Sequence, residues 1–438
     1  MKPIVYIVHH VDTEGPLYES IEETFIRLET ILGITLPLKP SKENLDKLRA
    51  EEIEGISPEV TAKIQIITES HLLEYKKSWT EVDEMLYRIL SLEFRNKYKD
   101  SFGNGWIFNW HIMDHVGFTT NPRHRDMGFL NIFDHYELIL AETGSDKMDE
   151  INWHFHPVSF SKQANVSATS YENCYDTIHQ ILTRRLIEKS WFPIVNRAGM
   201  HTERPDSNWF LEQWMPFDAS NQSINDDDYT GNGRFGDWKG APDDWSIYHP
   251  DIYDWRREGA CNRYIARCLN LKTRFRNINK EELNKAFIKA RETKSNVYLG
   301  ITDHDFREIS VEIASFYQML LEVHSKFEDI DFKFSKSTIA FKEVLGLPED
   351  KRIDMDAVII GNLLKIEFVQ GEPFGPQPYL AIKTKSGEYR HDNMDFGEFK
   401  NVYFYTFDEK TTNLDDVDSL VVASNDRYGN QCIKRIIG

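Results

Sequence analysis

The chain has 438 residues, enough for two or three domains at roughly 100–200 residues each. Its 52 Lys and Arg stand against 71 Asp and Glu, a net charge of -19 that repels a phosphate backbone, so nucleic acid is not an expected partner. Apolar residues make up 40 % and aromatic residues 13 %, with 10 Trp, which excludes a disordered acidic chain and predicts a soluble globular protein.

The run Ile4 to Val8 reads as a buried strand that leaves its sheet before Gly15-Pro16. Helical spacing over 18–33, 41–54, 58–78 and 80–99 predicts a helical insertion spanning about 18–103. Strands and helices then alternate. Strands are predicted at Trp106 to Met113, Glu150 to His156, Phe192 to Arg197, Met215 to Ser220, Asn296 to Thr302 and from Asp331; helices at 129–142, 170–189, 206–214, 280–293, 310–326 and up to Leu345. Such alternation predicts parallel strands in an α/β barrel or open sheet. A polar stretch over 221–258 reads as a long aromatic loop. Past Gly346-Leu347-Pro348 only short strands remain, at 358–369, 379–384, 402–407, 420–424 and 431–437, so 349–438 reads as a small all-β domain, a sandwich, separable from the chemistry of residues 1–348.

No apolar run approaches the ~18 residues that cross a bilayer, and four cysteines without C-x-x-C spacing favour reduced thiols over a zinc ribbon or disulfide framework. A cytoplasmic setting is expected.

Four strand exits carry chemistry. In His10-Val11-Asp12-Thr13-Glu14-Gly15-Pro16 the strand period puts His10, Asp12 and Glu14 on one face; the acids are either solvated turn residues or part of a site where α/β folds build them. In Trp153-His154-Phe155-His156-Pro157 the same period aligns two imidazoles. Combined with a carboxylate from a neighbouring strand, they make a divalent metal site. Arg197, opening Arg197-Ala198-Gly199, can hold a carboxylate through two hydrogen bonds or form an ordinary salt bridge. His304 in Asp303-His304-Asp305 is a surface histidine or an acid whose pKa its flanking carboxylates raise. In the long loop, Trp238, Trp245, Tyr248, His249, Tyr253 and Trp255 suit the apolar faces and hydroxyl edges of sugars, or pack the loop over the barrel.

The order D-x-E-G, H-x-H-P, R-A-G and a late histidine resembles the polysaccharide deacetylase family, whose catalytic domain is a distorted (β/α)7 barrel. The resemblance implies a metal-dependent hydrolase that removes an acetyl group from an N-acetylated sugar, nucleotide sugar or glycan. It implies Asp12 as base, Glu14, His154 and His156 as ligands of a divalent metal, usually zinc, Arg197 as the residue that orients the base, and His304 as acid, with His201 and His249 in reserve. His10, His201, Trp238, Trp245 and His249 are the candidate substrate contacts. The separated acids and the H-x-H differ from the adjacent aspartates and H-x-x-x-H common in the family, and look like its surface-polysaccharide and lipopolysaccharide biosynthesis branch. Two rival readings are a non-catalytic member that binds a glycan or partner, and a glycosidase-like carbohydrate hydrolase.

Overall fold

The computed structural model describes residues 2–50, 53–164, 166, 170–224, 236–399 and 401–438. Strand β1 (Ile4–Thr13) is buried from Val5 onward, and its alternation sorts the side chains. Val5, Ile7 and Val11 join the core shared with the helices, while Tyr6 and Val8 meet Val195, Phe217, Ala266 and Tyr298 inside the barrel. Strands β2 (Phe108–Ile112), β3 (Glu150–Phe155), β4 (Val195–Ala198), β5 (Phe217–Asn221), β6 (Tyr264–Asn270) and β7 (Val297–His304) follow in parallel. Both β2 and β7 pair with β1, closing a seven-stranded parallel barrel. Closure depends on β1 changing neighbours: Ile4–Ile7 pair with β8 (Asp331–Phe334), and His9–Thr13 pair with β2.

Among the described residues, five α-helices lie between β1 and β2: α1 (Ile21–Leu32), α2 (Lys42–Arg49), α3 (Pro58–Ile67), α4 (Trp79–Leu90) and α5 (Leu92–Arg95). The first three bury Phe25, Leu28, Leu45, Leu48 and Ile64 in a core of their own, whereas α4 sends Val82, Met85, Leu86 and Ile89 into the main core. The helix expected over 58–78 ends at Ile67, where the Thr68 hydroxyl donates back to the Ile64 carbonyl (2.6 Å). Helices α6 (Asn131–Glu142), α7 (Tyr175–Lys189), α8 (Pro205–Trp214), α9 (Lys280–Thr293) and α10 (Ile309–His324) alternate with the later strands. In α11 (Ser337–Leu345), Phe341 stacks on Phe217 at 4.6 Å and fills one end of the barrel. Strand β6 was not anticipated from the sequence: Arg267 interrupts its apolar run, yet this side chain is buried, donating to the Ser223 carbonyl (2.6 Å) and pairing with Glu282.

The C-terminal region holds β9 (Asp354–Ile360), β10 (Leu363–Gln370), β11 (Tyr379–Thr384), β12 (Tyr389–Asp392), β13 (Asp395–Phe396), β14 (Val402–Thr406), β15 (Val417–Asn425) and β16 (Gln431–Ile437). The single strand expected over 358–369 is a hairpin, turned at Gly361 with φ 64°. Two antiparallel sheets, β13-β14-β10-β9 and β12-β11-β15-β16, share a core of Met355, Leu364 and Ile366 against Leu380, Ile382, Leu420 and Val422. The other face of the second sheet, with Tyr379, Ala381, Val421 and Ala423, packs on Ile178, Leu182 and Leu186 of α7 and Leu211 of α8. Residues 349–438 therefore cover apolar surface of the barrel helices.

That interface buries His179 beside the Tyr379 hydroxyl (3.0 Å) and stacks it on His391 at 4.2 Å. Burial, aided by His391, pushes His179 down to about 2, and burial lowers His391 to about 4. Both values lie below the ~6.5 of an unfolded histidine. The unfolded chain therefore takes up protons that the folded one refuses, and stability falls as pH drops below ~6.5, by about 2 kcal/mol per imidazole at pH 5. Thermal melts of His179→Gln from pH 7.5 to 5 are expected to show a shallower loss than wild type; parallel curves would contradict this.

Among the described residues, no helix is long and apolar enough to cross a membrane. All four cysteines are unpaired.

Candidate metal centre

Register brings the strand exits to one level. Asp12 lies beside His304 of β7 and His111 of β2, and His154 lies beside Arg197 of β4. The exit of β1 is pinned by Asp305, whose carboxylate accepts from the backbone N–H of Glu14 (2.9 Å) and Gly15 (2.8 Å) and from the Tyr136 hydroxyl (2.9 Å). Gly15, at φ 68°, makes the turn that follows.

Glu14, His154 and His156 are buried, and their ligand atoms all lie within 4.8 Å of one another. Nε2 of His154 is 3.0 Å from Nε2 of His156, which is 3.6 Å from Glu14 Oε1. Ligands about 2.0–2.1 Å from one tetrahedral ion stand roughly 3.3 Å apart, so the cluster fits a small divalent cation. The hydrogen bonds around it point the same way. His154 Nδ1 donates to the Arg197 carbonyl (2.8 Å), which leaves the Nε2 lone pair facing the cluster, as an outer partner does for a metal-binding imidazole. Arg125 takes Glu14 Oε2 (2.6 Å) and leaves Oε1 toward the histidines. Burial raises the Glu14 pKa, but Arg125 and the nearby histidines outweigh it and keep the carboxyl ionised. Burial also lowers His156 to about 4, so it is neutral and able to ligate near pH 7. Gly199 makes room for this arrangement: a Cβ there would sit 2.3 Å from both His156 Cδ2 and the Phe155 carbonyl.

Asp12 stands next to the cluster. Its Oδ1 accepts from Arg197 Nε (2.6 Å) and lies 3.7 Å from His154 Nδ1, while its Oδ2 is 3.7 Å from His304 Nε2. Burial raises its pKa, yet Arg197 with His154, His304 and His201 brings it well below the usual carboxylate range. Of the two arrangements open to Arg197, the structure shows a single bond to the carboxylate; its other donors go to the Ala219 carbonyl (3.0 Å) and His201 Nδ1 (3.2 Å). Because a guanidinium only donates, His201 presents its N–H at Nε2. Met200 and His201 both have φ near 52°, a left-handed backbone uncommon outside glycine and frequent at functional sites.

The raised pKa expected for His304 gives way to the opposite. Asp303 turns to His9 Nε2 (3.2 Å) and Asp305 to the β1 exit, so neither flanking acid serves His304. Burial pushes it down to about 3 despite Asp12 and Glu14, and its buried Nδ1 has no hydrogen-bond partner among the described residues.

A cavity of about 120 Å³ is lined by Asp12, Glu14, His154, His156, His201 and His304. The other expected contacts do not line it. His10 is sealed inside the barrel, 2.7 Å from His111 Nε2 and 2.9 Å from the Tyr298 hydroxyl. Trp238 is fully buried and donates to the His201 carbonyl (2.9 Å), and Trp245 donates to the Glu282 carbonyl (3.0 Å) under the Arg267 guanidinium. His249 bonds the Arg263 carbonyl (3.0 Å) and packs tilted against Tyr264, with ring centroids 4.1 Å apart. Indoles satisfied by backbone carbonyls are packing the loop, the alternative the sequence left open; within that loop, 225–235 lies outside the described residues.

Sequence reasoning missed Arg123 and Arg125 of the β2–α6 loop and Arg274, Arg276 and Arg307. Paired R-x-R spacings in loops of so acidic a chain were the available signal. Comparisons with family models, curated proteins and solved structures returned no match.

Proposed function

We propose that the protein is a metal-dependent hydrolase that removes the acetyl group from an N-acetylated sugar, with zinc at Glu14, His154 and His156. The observation that carries this reading is an ionised carboxylate outside the ligand set, Asp12, positioned by Arg197 (2.6 Å) beside a buried two-histidine, one-carboxylate cluster. A divalent ion held there supplies Lewis-acid polarisation of the acyl carbonyl and a lowered pKa for water.

The chain's own residues handle the proton. Asp12, ionised and oriented, accepts it from the attacking water. His304, neutral at rest and 3.7 Å from Asp12, can receive that proton through a bridging water and deliver it to the departing nitrogen. One proton of the water thus ends on the departing nitrogen and the hydroxide on the acyl carbon, giving the free amino sugar and acetic acid, which loses its own proton to solvent as acetate. His201 offers its Nε2–H to the same cavity and suits substrate positioning. The glycosidase reading is disfavoured because it requires one carboxyl kept protonated, whereas Arg197 and Arg125 hold both candidates ionised.

An acetate-release screen over N-acetylated sugars, nucleotide sugars and short glycans tests this, run before and after chelation and with zinc restored. Release that disappears on chelation and returns with zinc is expected. Sugar binding by zinc-loaded protein without any acetate release would instead favour the non-catalytic alternative.

A further inference from the structure

The cavity that holds the cluster has a second wall of Arg123, Arg274, Arg276 and Arg307. Four guanidiniums on one small cavity stand out in a chain with net charge -19, and among the described residues the nearby carboxylates leave two of them, Arg274 and Arg307, without an ion pair. Glu19 is shared between Arg27 (2.7 Å) and Arg123 (3.6 Å), Glu14 is taken by Arg125, and Asp12 by Arg197. Among the described residues, Arg274 and Arg307 form no ion pair with a carboxylate. Arg274 donates from Nε to the Ile67 carbonyl (3.3 Å), and Arg307 is 8 % exposed with an Nε that has no hydrogen-bond partner among those residues. Glu312 and Asp303 also lie near Arg307, and burial raises the pKa of both, while Asp303 faces His9 Nε2 at 3.2 Å.

Buried charges are ordinarily paired, and a guanidinium cannot escape by losing its proton. Burial and the crowding of Arg27, Arg307 and Arg123 therefore work against Arg274. An oxyanion between these side chains relieves that repulsion through short, charge-assisted bonds in the fork geometry that arginine offers. We infer that the arginine wall, through Arg274 and Arg307, binds a carboxylate or phosphate group carried by the substrate itself. Because the wall and the candidate metal ligands share one cavity of about 120 Å³, the anionic group and the reacting acyl group belong to one compact molecule. The substrate class is thus an acidic or phosphorylated N-acetylated sugar. That last step rests on the hydrolase reading, whereas the anion site does not.

Calorimetric titration of the purified protein with pyrophosphate, inorganic phosphate and glucuronate tests the site without turnover. At least one should bind, with an affinity that falls as salt rises. Arg274→Gln and Arg307→Gln should each weaken it about tenfold or more at unchanged metal content, and Arg307→Lys should retain more binding than Arg307→Gln. Preference for the phosphates assigns a phosphorylated substrate, and preference for glucuronate a sugar acid. Failure of all three to bind wild-type protein, or wild-type affinity in folded Gln variants, would overturn the proposal. Acetate release is then compared on N-acetylglucosamine and its 1-phosphate, with kcat/KM expected to be higher on the phosphate. If neither releases acetate while anion binding still depends on Arg274 and Arg307, the anion site stands and the hydrolase reading falls.

Discussion

Asp12→Asn is expected to keep the bound metal and lose about 10²- to 10⁴-fold in hydrolytic rate, the usual contribution of a general base. The amide can still accept from Arg197 Nε, which now bonds Oδ1 at 2.6 Å, but it cannot take a proton from water. The substitution also leaves the fully buried Arg197 without a counter-charge, and breaking such a pair costs about 3–5 kcal/mol. Melting temperature should therefore fall too, and the rate is to be measured well below the new midpoint. Equal loss of metal and rate would place Asp12 among the ligands instead.

A ligand substitution should behave in the reverse order. His154→Ala or His156→Ala removes one of three donors that lie within 4.8 Å of one another, and metal affinity is expected to drop about tenfold or more, with rate lost in consequence. Glu14→Gln should do the same. It removes the charge that Arg125 faces at 2.6 Å, so two terms weaken together. Elemental analysis of each purified variant reads the outcome, and unchanged metal content in both histidine variants would exclude this cluster as the site.

Much of this arrangement was readable from the chain because strands alternate with a period of two. That period alone places Asp12 with Glu14 and His154 with His156, and parallel register brings His304 and Arg197 to their level. What the period cannot reveal is where a charged side chain finds its partner. Strand β6 went unseen because Arg267 is compensated by Glu282, fifteen residues later on α9. The arginine wall was missed for the same reason: Arg123, Arg274 and Arg307 lie on three separate loops that only the closed barrel brings together. The loop tryptophans left two readings open, since composition alone does not distinguish an indole that faces a ligand from one bonded to a backbone carbonyl.

In the proposed hydrolase Glu14, His154 and His156 hold a metal ion next to Asp12. The most direct test of that placement is anomalous diffraction at the zinc edge from crystals of the purified protein grown with zinc. One strong peak is expected within bonding distance of the Glu14 carboxylate and the Nε2 atoms of His154 and His156, with Asp12 still paired to Arg197. No peak at that position, or a peak bound elsewhere while these three side chains remain free, would contradict it.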